Sequence, residues 1–114
     1  MHELSVAQNL IKKVLIEMKH HKRDKILKVG ILVGKYSYIV PSALEFCFDA
    51  AKTDTVLADV ALDIEIEIPK GKCLDCGHLF QLEEWNPGCP VCNSESIMPD
   101  GGTEIALQYL EYPD

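Results

Sequence analysis

Four cysteines in the second half of the chain have the spacing of a metal site. Cys73 and Cys76 form one Cys-x-x-Cys pair, Cys89 and Cys92 form another, and twelve residues separate the two pairs. Each pair can direct two thiolates at one ion, and two pairs complete the tetrahedral shell that zinc prefers. Iron also binds four thiolates, so the sulfur donors by themselves leave the identity of the metal open.

The segment that carries these cysteines, residues 70–98, is too short to bury a core of its own, so the metal is expected to fold it. A closed shell of four thiolates leaves no position for a substrate water. This argues against hydrolytic chemistry and favours a structural zinc ion. His78 follows closely after Cys76 and is interpreted as a surface imidazole rather than as a ligand in place of a cysteine or a contact to a second ion.

The first three residues, Met1, His2 and Glu3, offer a second and different donor set. The amine of Met1, the deprotonated amide of His2 and the imidazole of His2 can close adjacent five- and six-membered chelate rings around one ion. Glu3 can add a fourth donor through its amide or its side chain. Nitrogen donors in a plane suit nickel(II) or copper(II), whereas a histidine in a frayed terminus without a metal is the simpler alternative.

The spacing of apolar residues predicts two helices that would position these donors. From Glu3 to about Met18 they recur at three- and four-residue steps, which indicates an amphipathic helix. His20 and His21 follow as cations near its C-terminal end, where the helix dipole favours positive charge. Pro41 suits the first turn of a second helix, whose apolar face includes Cys47, Leu44, Phe48 and Ala51. Cys47 is therefore predicted to be a core residue.

Three segments of alternating apolar residues predict three strands. The first ends at Val33. The second has one row expected to face a core: Val60, Leu62, Ile64, Ile66 and Ile68. The third places another row on one face: Ile105, Leu107 and Tyr109. The predicted fold is α+β. Its small three-stranded sheet is packed with two amphipathic helices over residues 1–69 and 99–114, and a zinc-ribbon-like insert with two Cys-x-x-Cys knuckles occupies residues 70–98.

Composition and charge exclude several classes of function. The net charge of -7 argues against a main role on nucleic acid, which demands clustered Lys and Arg. The apolar runs are shorter than the roughly 20 residues of a membrane helix, and no signal-peptide pattern is present at the N-terminus. Five cysteines, an odd number with four in knuckles, favour a metal over disulfides in a reducing compartment. We therefore expect a cytoplasmic protein.

Several motifs occur together along the chain. It opens with Met-His-Glu-Leu-Ser at 1–5, and it carries Val-Gly-Lys-Tyr-Ser at 33–37 and Val-Pro at 40–41, ahead of Ala-Leu-Glu-Phe at 43–46. The knuckles read Cys-Gly at 76–77 and Cys-Pro-Val-Cys at 89–92. In this combination, which spans essentially the whole chain, the sequence resembles the HypA/HybF hydrogenase nickel-incorporation family.

The resemblance implies a nickel metallochaperone for nickel-iron hydrogenase maturation, and not an enzyme. The family's nickel ligand falls on His2, assisted by the Met1 amine and the nearby backbone, with Glu3 in support. Its zinc ligands fall on the four cysteines, so Zn²⁺ is the implied structural cofactor and Ni²⁺ the cargo. The implied partners are a hydrogenase-maturation GTPase and the hydrogenase large subunit, with urease maturation proteins left open. A monomer or weak homodimer is expected.

Two other classes of function were weighed against this interpretation. A zinc-ribbon module that binds protein or nucleic acid would need basic or aromatic groups on its knuckles, but acidic residues outnumber Lys70 and Lys72 in the insert: Asp75, Glu83, Glu84 and Glu95. A rubredoxin-like iron electron carrier is the other alternative. An enzyme is least supported, because neither a Ser, His and acid set nor a phosphate-binding glycine-rich loop stands out.

Overall fold

The computed structural model describes residues 3–82 and 88–114. Met1 and His2 of the predicted nickel site, and Glu83 and Glu84 of the insert, lie outside the described residues. Within them the elements follow in the order α1 Glu3–His20, β1 Lys28–Gly34, α2 Pro41–Lys52, β2 Ala61–Glu67, β3 Lys70–Cys73, β4 Leu79–Gln81, β5 Ile97–Asp100 and β6 Ile105–Glu111.

Strands β1, β2 and β6 form one sheet in the order β2-β1-β6. The central strand β1 pairs parallel with β2 and antiparallel with β6. Its residues Val29, Ile31 and Val33 are almost fully buried, and they share one core with apolar residues of both helices. The α+β fold with a three-stranded sheet and two amphipathic helices is therefore confirmed.

Helix α1 buries one stripe and ends in a defined turn. The buried residues are Val6, Ala7, Leu10, Ile11, Val14 and Met18. Beyond His20, the N–H of Lys22 donates to the carbonyl of Lys19 and the N–H of Arg23 to that of Met18, with Lys22 at a φ of 53°. This is the Schellman arrangement that stops a helix.

No helix in the described part of the chain has the length and apolar character needed to cross a membrane.

Helix α2 begins at Pro41, as predicted, because proline needs no N–H at that position and has a helical φ. Leu44 and Phe48 are completely buried beneath it. Cys47 is half-buried and packs against the same core, which places it apart from the other four cysteines. The helix therefore contributes to the core rather than to a metal site.

The apolar row of β2 is only partly buried, which corrects the prediction that all of it faces a core. Val60 is 2% exposed, but Ile66 is 43% and Ile68 is 37% exposed. Strand β2 lies at the edge of the sheet and has one neighbouring strand, β1. Its apolar residues alternate as predicted, but the core does not cover all of them. The last residues before the insert therefore present apolar surface.

The prediction that Tyr109 shares a face with Ile105 and Leu107 is wrong. The register of β6 against β1 shifts between Gly30 and Ile31, so that Ile31 lies opposite Leu107 but Gly30 lies opposite Tyr109. This bulge moves Tyr109 to the sheet face away from the core. There its hydroxyl donates to the Asp63 carboxylate, and this hydrogen bond raises the pKa of Tyr109 to about 12.

A second sheet, in the order β4-β3-β5, forms the insert and is antiparallel throughout. At its junction with the first sheet, the N–H of Gly102 donates to Oε1 of Glu67 over 2.8 Å. A Cβ added to Gly102 would lie 2.7 Å from the Pro69 ring, and one added to Gly34 would lie 2.3 Å from the Gly102 carbonyl carbon. Glycine is needed at both positions because the entering and leaving chains meet at this junction.

Candidate metal centre

The two Cys-x-x-Cys pairs come together at one end of the insert. Cys73 ends β3, and its Sγ lies 3.5 Å from that of Cys92, while the Sγ atoms of Cys76 and Cys89 are 3.6 Å apart. All four sulfurs lie within 4.8 Å of one another. Cys73 and Cys89 are buried, whereas Cys76 and Cys92 are exposed. Each pair thus contributes one buried cysteine and one exposed cysteine to the cluster.

The two knuckles have the same backbone construction. In the first, the N–H of Gly77 donates to the Cys73 carbonyl, and the N–H of Cys73 donates to the His78 carbonyl. The second repeats both bonds: Asn93 to Cys89, and Cys89 to Ser94. The residue after each pair has a positive φ, 79° at Gly77 and 63° at Asn93. Glycine adopts this region without strain, and asparagine is among the non-glycine residues that tolerate it best.

Side chains join the knuckles to each other. The hydroxyl of Ser94 donates to Oδ2 of Asp75, which links the second knuckle to the first. The N–H of Leu74 donates to the Ser96 carbonyl, and the N–H of Ser96 to the Ser94 hydroxyl. The sequence analysis counted Asp75 only as a surface charge, because a bond across 19 residues leaves no local pattern.

Hydrogen bonds to sulfur give the cysteine thiols different acidities. The backbone N–H of Cys76 donates to Cys73 Sγ and, against the opposing effect of burial, it helps lower the pKa of Cys73 to about 6. At Cys92 a bond from the Ser94 backbone lowers the pKa, but the neighbouring Cys73 sulfur and burial outweigh it and raise the pKa to about 12. The Cys73 thiol is therefore more acidic than the Cys92 thiol, and metal binding must displace the proton of Cys92.

The sulfur positions fit a tetrahedral metal ion. Zinc–sulfur bonds of about 2.3 Å at tetrahedral angles place sulfurs about 3.8 Å apart, close to the two short distances in the cluster. His78 is exposed, and its ring stacks on Phe80 with centroids 5.9 Å apart, outside the group of residues that could hold one ion. The donor set is therefore four thiolates, which suits a soft or borderline metal such as zinc.

His21, at the end of α1, contacts other side chains. His21 Nε2 lies 3.6 Å from a Glu17 carboxylate oxygen, and the His21 ring meets the Tyr112 ring edge-on. Across residues 3–82 and 88–114, the four cysteines are the one group of His, Cys, Asp and Glu close enough to hold an ion. His20 is the last residue of α1 and His21 follows it, which are the positions that the periodicity predicted.

The N-terminal donor set is described only from Glu3 onward. Glu3 is the first residue of α1, and its Oε2 accepts a hydrogen bond from the Val40 N–H over 3.1 Å. The residue is partly buried. The predicted ligands Met1 and His2 therefore immediately precede a helix start that is tied to the segment before α2.

Comparison with known proteins gives consistent matches over the whole chain. The family model described as "Hydrogenase/urease nickel incorporation, metallochaperone, hypA" matches residues 1–112. Hydrogenase maturation factor HypA of Crocosphaera subtropica is 35% identical over 111 residues, covering 97% of this chain and 95% of the relative. The HypA of Chlorobium luteolum is 33% identical over 110 residues, covering 96% and 94%.

Solved structures agree with the sequence matches. The solution structure of the Ni metallochaperone HypA from Helicobacter pylori has a TM-score of 0.69 at 29% identity, covering 98% of this chain and 97% of that one. A second solution structure, of a HypA protein, has a TM-score of 0.76 at 30% identity, covering 99% and 97%. The fold described above is thus shared with these proteins from end to end.

Proposed function

We propose, because the chain belongs to the HypA family of hydrogenase and urease nickel-incorporation metallochaperones, that it binds nickel and delivers it for the maturation of nickel-iron hydrogenase. The match over residues 1–112 carries the proposal, since it includes both the N-terminus and the cysteine cluster. The proposed role is that of a carrier and not of an enzyme. The proposed partners are a hydrogenase-maturation GTPase and the hydrogenase large subunit in the cytoplasm.

The proposed nickel site consists of the Met1 amine, the amide and imidazole of His2, and the amide of Glu3. Its support is chemical, because nitrogen donors in a plane suit nickel(II). Glu3 is the first residue of α1, so the proposed donors lie directly before and at the start of that helix.

The proposed zinc site consists of Cys73, Cys76, Cys89 and Cys92. Their sulfur distances support a closed tetrahedral shell, which leaves no open position for a reacting water. The three strands of the insert are three or four residues long, and so short a segment buries too little apolar surface for a core of its own. Strand β5 ends at Asp100, so the insert extends two residues beyond the predicted boundary at residue 98. We therefore propose that zinc folds residues 70–100 as a unit apart from residues 1–69 and 101–114.

A strong chelator is expected to unfold the insert but leave the two helices intact. The helices belong to a core that includes no cysteine of the cluster, whereas zinc binding supplies the folding free energy of the insert. Far-ultraviolet circular dichroism should retain most of its helical signal, while amide exchange in β3 and β5 becomes fast. Loss of the helical signal together with zinc would contradict the proposed division of the chain.

Delivery itself is tested in cells that lack their own member of this family. Expression of the native chain at low external nickel should restore nickel-iron hydrogenase activity from background to most of its normal level. His2→Ala should leave the activity near background, because its weaker affinity leaves the carrier largely without nickel when external nickel is low. Cys47→Ala is the matched control, since Cys47 lies outside the cluster, and it should restore activity like the native chain. Full restoration by His2→Ala would contradict the proposal.

A further inference from the structure

The carboxylate of Glu3 joins the starts of the two helices. Glu3 begins α1, and its Oε2 accepts a hydrogen bond from the N–H of Val40, the residue directly before α2. The two residues are 37 positions apart in the chain and meet at 3.1 Å. The bond therefore fixes one helix start against the other rather than stabilising a local turn.

Helix α2 lacks the residues that ordinarily make such a bond. Val40 is its N-cap and supplies no side-chain hydrogen bond. In a capping box, a Glu or Gln at the third helical position accepts from the N–H of the N-cap residue. That position of α2 is Ala43, which has no acceptor. Glu3 of α1 thus performs for α2 the part of the capping-box glutamate, from another helix.

The electrostatics of the two helix starts favour the same arrangement. The N-terminus of a helix carries a partial positive charge, and a carboxylate beside it is stabilising. The Glu3 carboxylate lies in the first turn of α1 and at the N-cap of α2, so it faces both positive ends. The positive ends of both helix dipoles therefore stabilise the Glu3 carboxylate in this position.

We propose that Glu3 is a positioning residue for nickel, whose carboxylate acts through the Val40 N–H and not as a metal ligand. This inference depends on the nickel site proposed above. Donors on a chain terminus must be ordered before they can close chelate rings, and that ordering reduces affinity. Anchoring Glu3 to Val40 fixes the residue that directly follows His2, so part of the ordering is already present in the metal-free protein.

Two substitutions of Glu3 separate positioning from ligation. Glu3→Gln keeps an acceptor oxygen for the Val40 N–H, so nickel affinity should stay within about threefold of native. Glu3→Ala removes the acceptor, and affinity should fall about tenfold, the size expected for one hydrogen bond to a charged group. Zinc content and helical circular dichroism should be native in both. If Gln lowers affinity as much as Ala, the carboxylate itself binds the metal and the inference is overturned.

Removing the donor gives an independent test. Val40→Pro deletes the N–H, and the φ of −84° at this position is close to the value that proline imposes. It should weaken nickel binding about as much as Glu3→Ala, and the double variant should be no weaker than either single one. Val40→Ala is the matched control, because it keeps the N–H and shortens a side chain that is 54% exposed. Losses that add in the double variant would overturn the inference.

His2→Ala, measured in the same nickel titration, distinguishes failure of the inference from failure of the proposed site. Native affinity in His2→Ala would overturn the N-terminal site and the inference with it. Loss of binding in His2→Ala with native affinity in Glu3→Ala would overturn the positioning role alone.

Discussion

Replacing Cys73 by alanine is expected to remove zinc from the protein and unfold the insert. Cys73 is buried, ends β3 and lies 3.5 Å from the Cys92 sulfur. Four-ligand structural zinc sites contribute about 10–16 kcal/mol, so one lost thiolate should cost about 3 kcal/mol, or about a hundredfold in affinity. Elemental analysis should give about one zinc per native chain and almost none per mutant chain after dialysis against a chelator whose zinc affinity lies between those of the two proteins. Cys92→Ala should behave in the same way.

Cys47→Ala provides the control for these substitutions, because Cys47 is half-buried against the core of the helices. It should keep a full complement of zinc, while its thermal stability changes by a small amount typical of a side chain that is partly exposed. Full zinc in Cys73→Ala would show that the metal is held elsewhere. Iron in place of zinc in the native chain would instead support the electron-carrier alternative.

Adding a short Gly-Ser extension before Met1 is expected to abolish tight nickel binding. The extension turns the Met1 amine into an amide and changes every ring size at the site. If each donor contributes about as much as a ligand of a zinc site, the loss is about a hundredfold or more. The same extension placed after Asp114 leaves the amine free and should bind nickel like the native chain. Isothermal titration of both proteins makes the comparison.

Nickel binding should also weaken as the pH falls through about 6.5. The ion competes with protons at the imidazole, the amine and at least one amide, so protonation of the imidazole below its pKa opposes binding. Zinc content is measured at each pH as the control, because the thiolates of the insert also compete with protons and the comparison requires the insert to stay loaded. Unchanged nickel affinity between pH 7.5 and pH 5.5 would contradict imidazole ligation, and native affinity with the N-terminal extension would contradict amine ligation.

The sequence analysis predicted those features that are set within a few residues. The helix stripe of α1 and the start of α2 at Pro41 follow from periodicity and from the chemistry of proline. The spacing of the two cysteine pairs predicted a cluster, and the sulfurs do converge. The two helix features depend on neighbours one or two turns away, and the cysteine cluster could be predicted because its paired spacing is itself visible in the sequence.

The features that the sequence analysis missed depend on residues far apart. The bulge that moves Tyr109 to the outer face comes from the pairing of β6 with β1, and alternation within β6 gives no sign of it. Exposure of Ile66 follows from the position of β2 at the sheet edge. The bonds of Glu3 to Val40 and of Gly102 to Glu67 span 37 and 35 residues. Strand order and helix packing had to be known before any of them could be inferred.

Equilibrium titration of nickel into native and His2→Ala protein, both loaded with zinc, tests the proposed N-terminal nickel site most directly. We predict about one tightly bound nickel per native chain, an affinity about a hundredfold lower in His2→Ala, and the same zinc content in both. Native affinity in His2→Ala would contradict the site at the N-terminus. Nickel would then have to bind elsewhere, with His78, His20 and His21 as the next candidates.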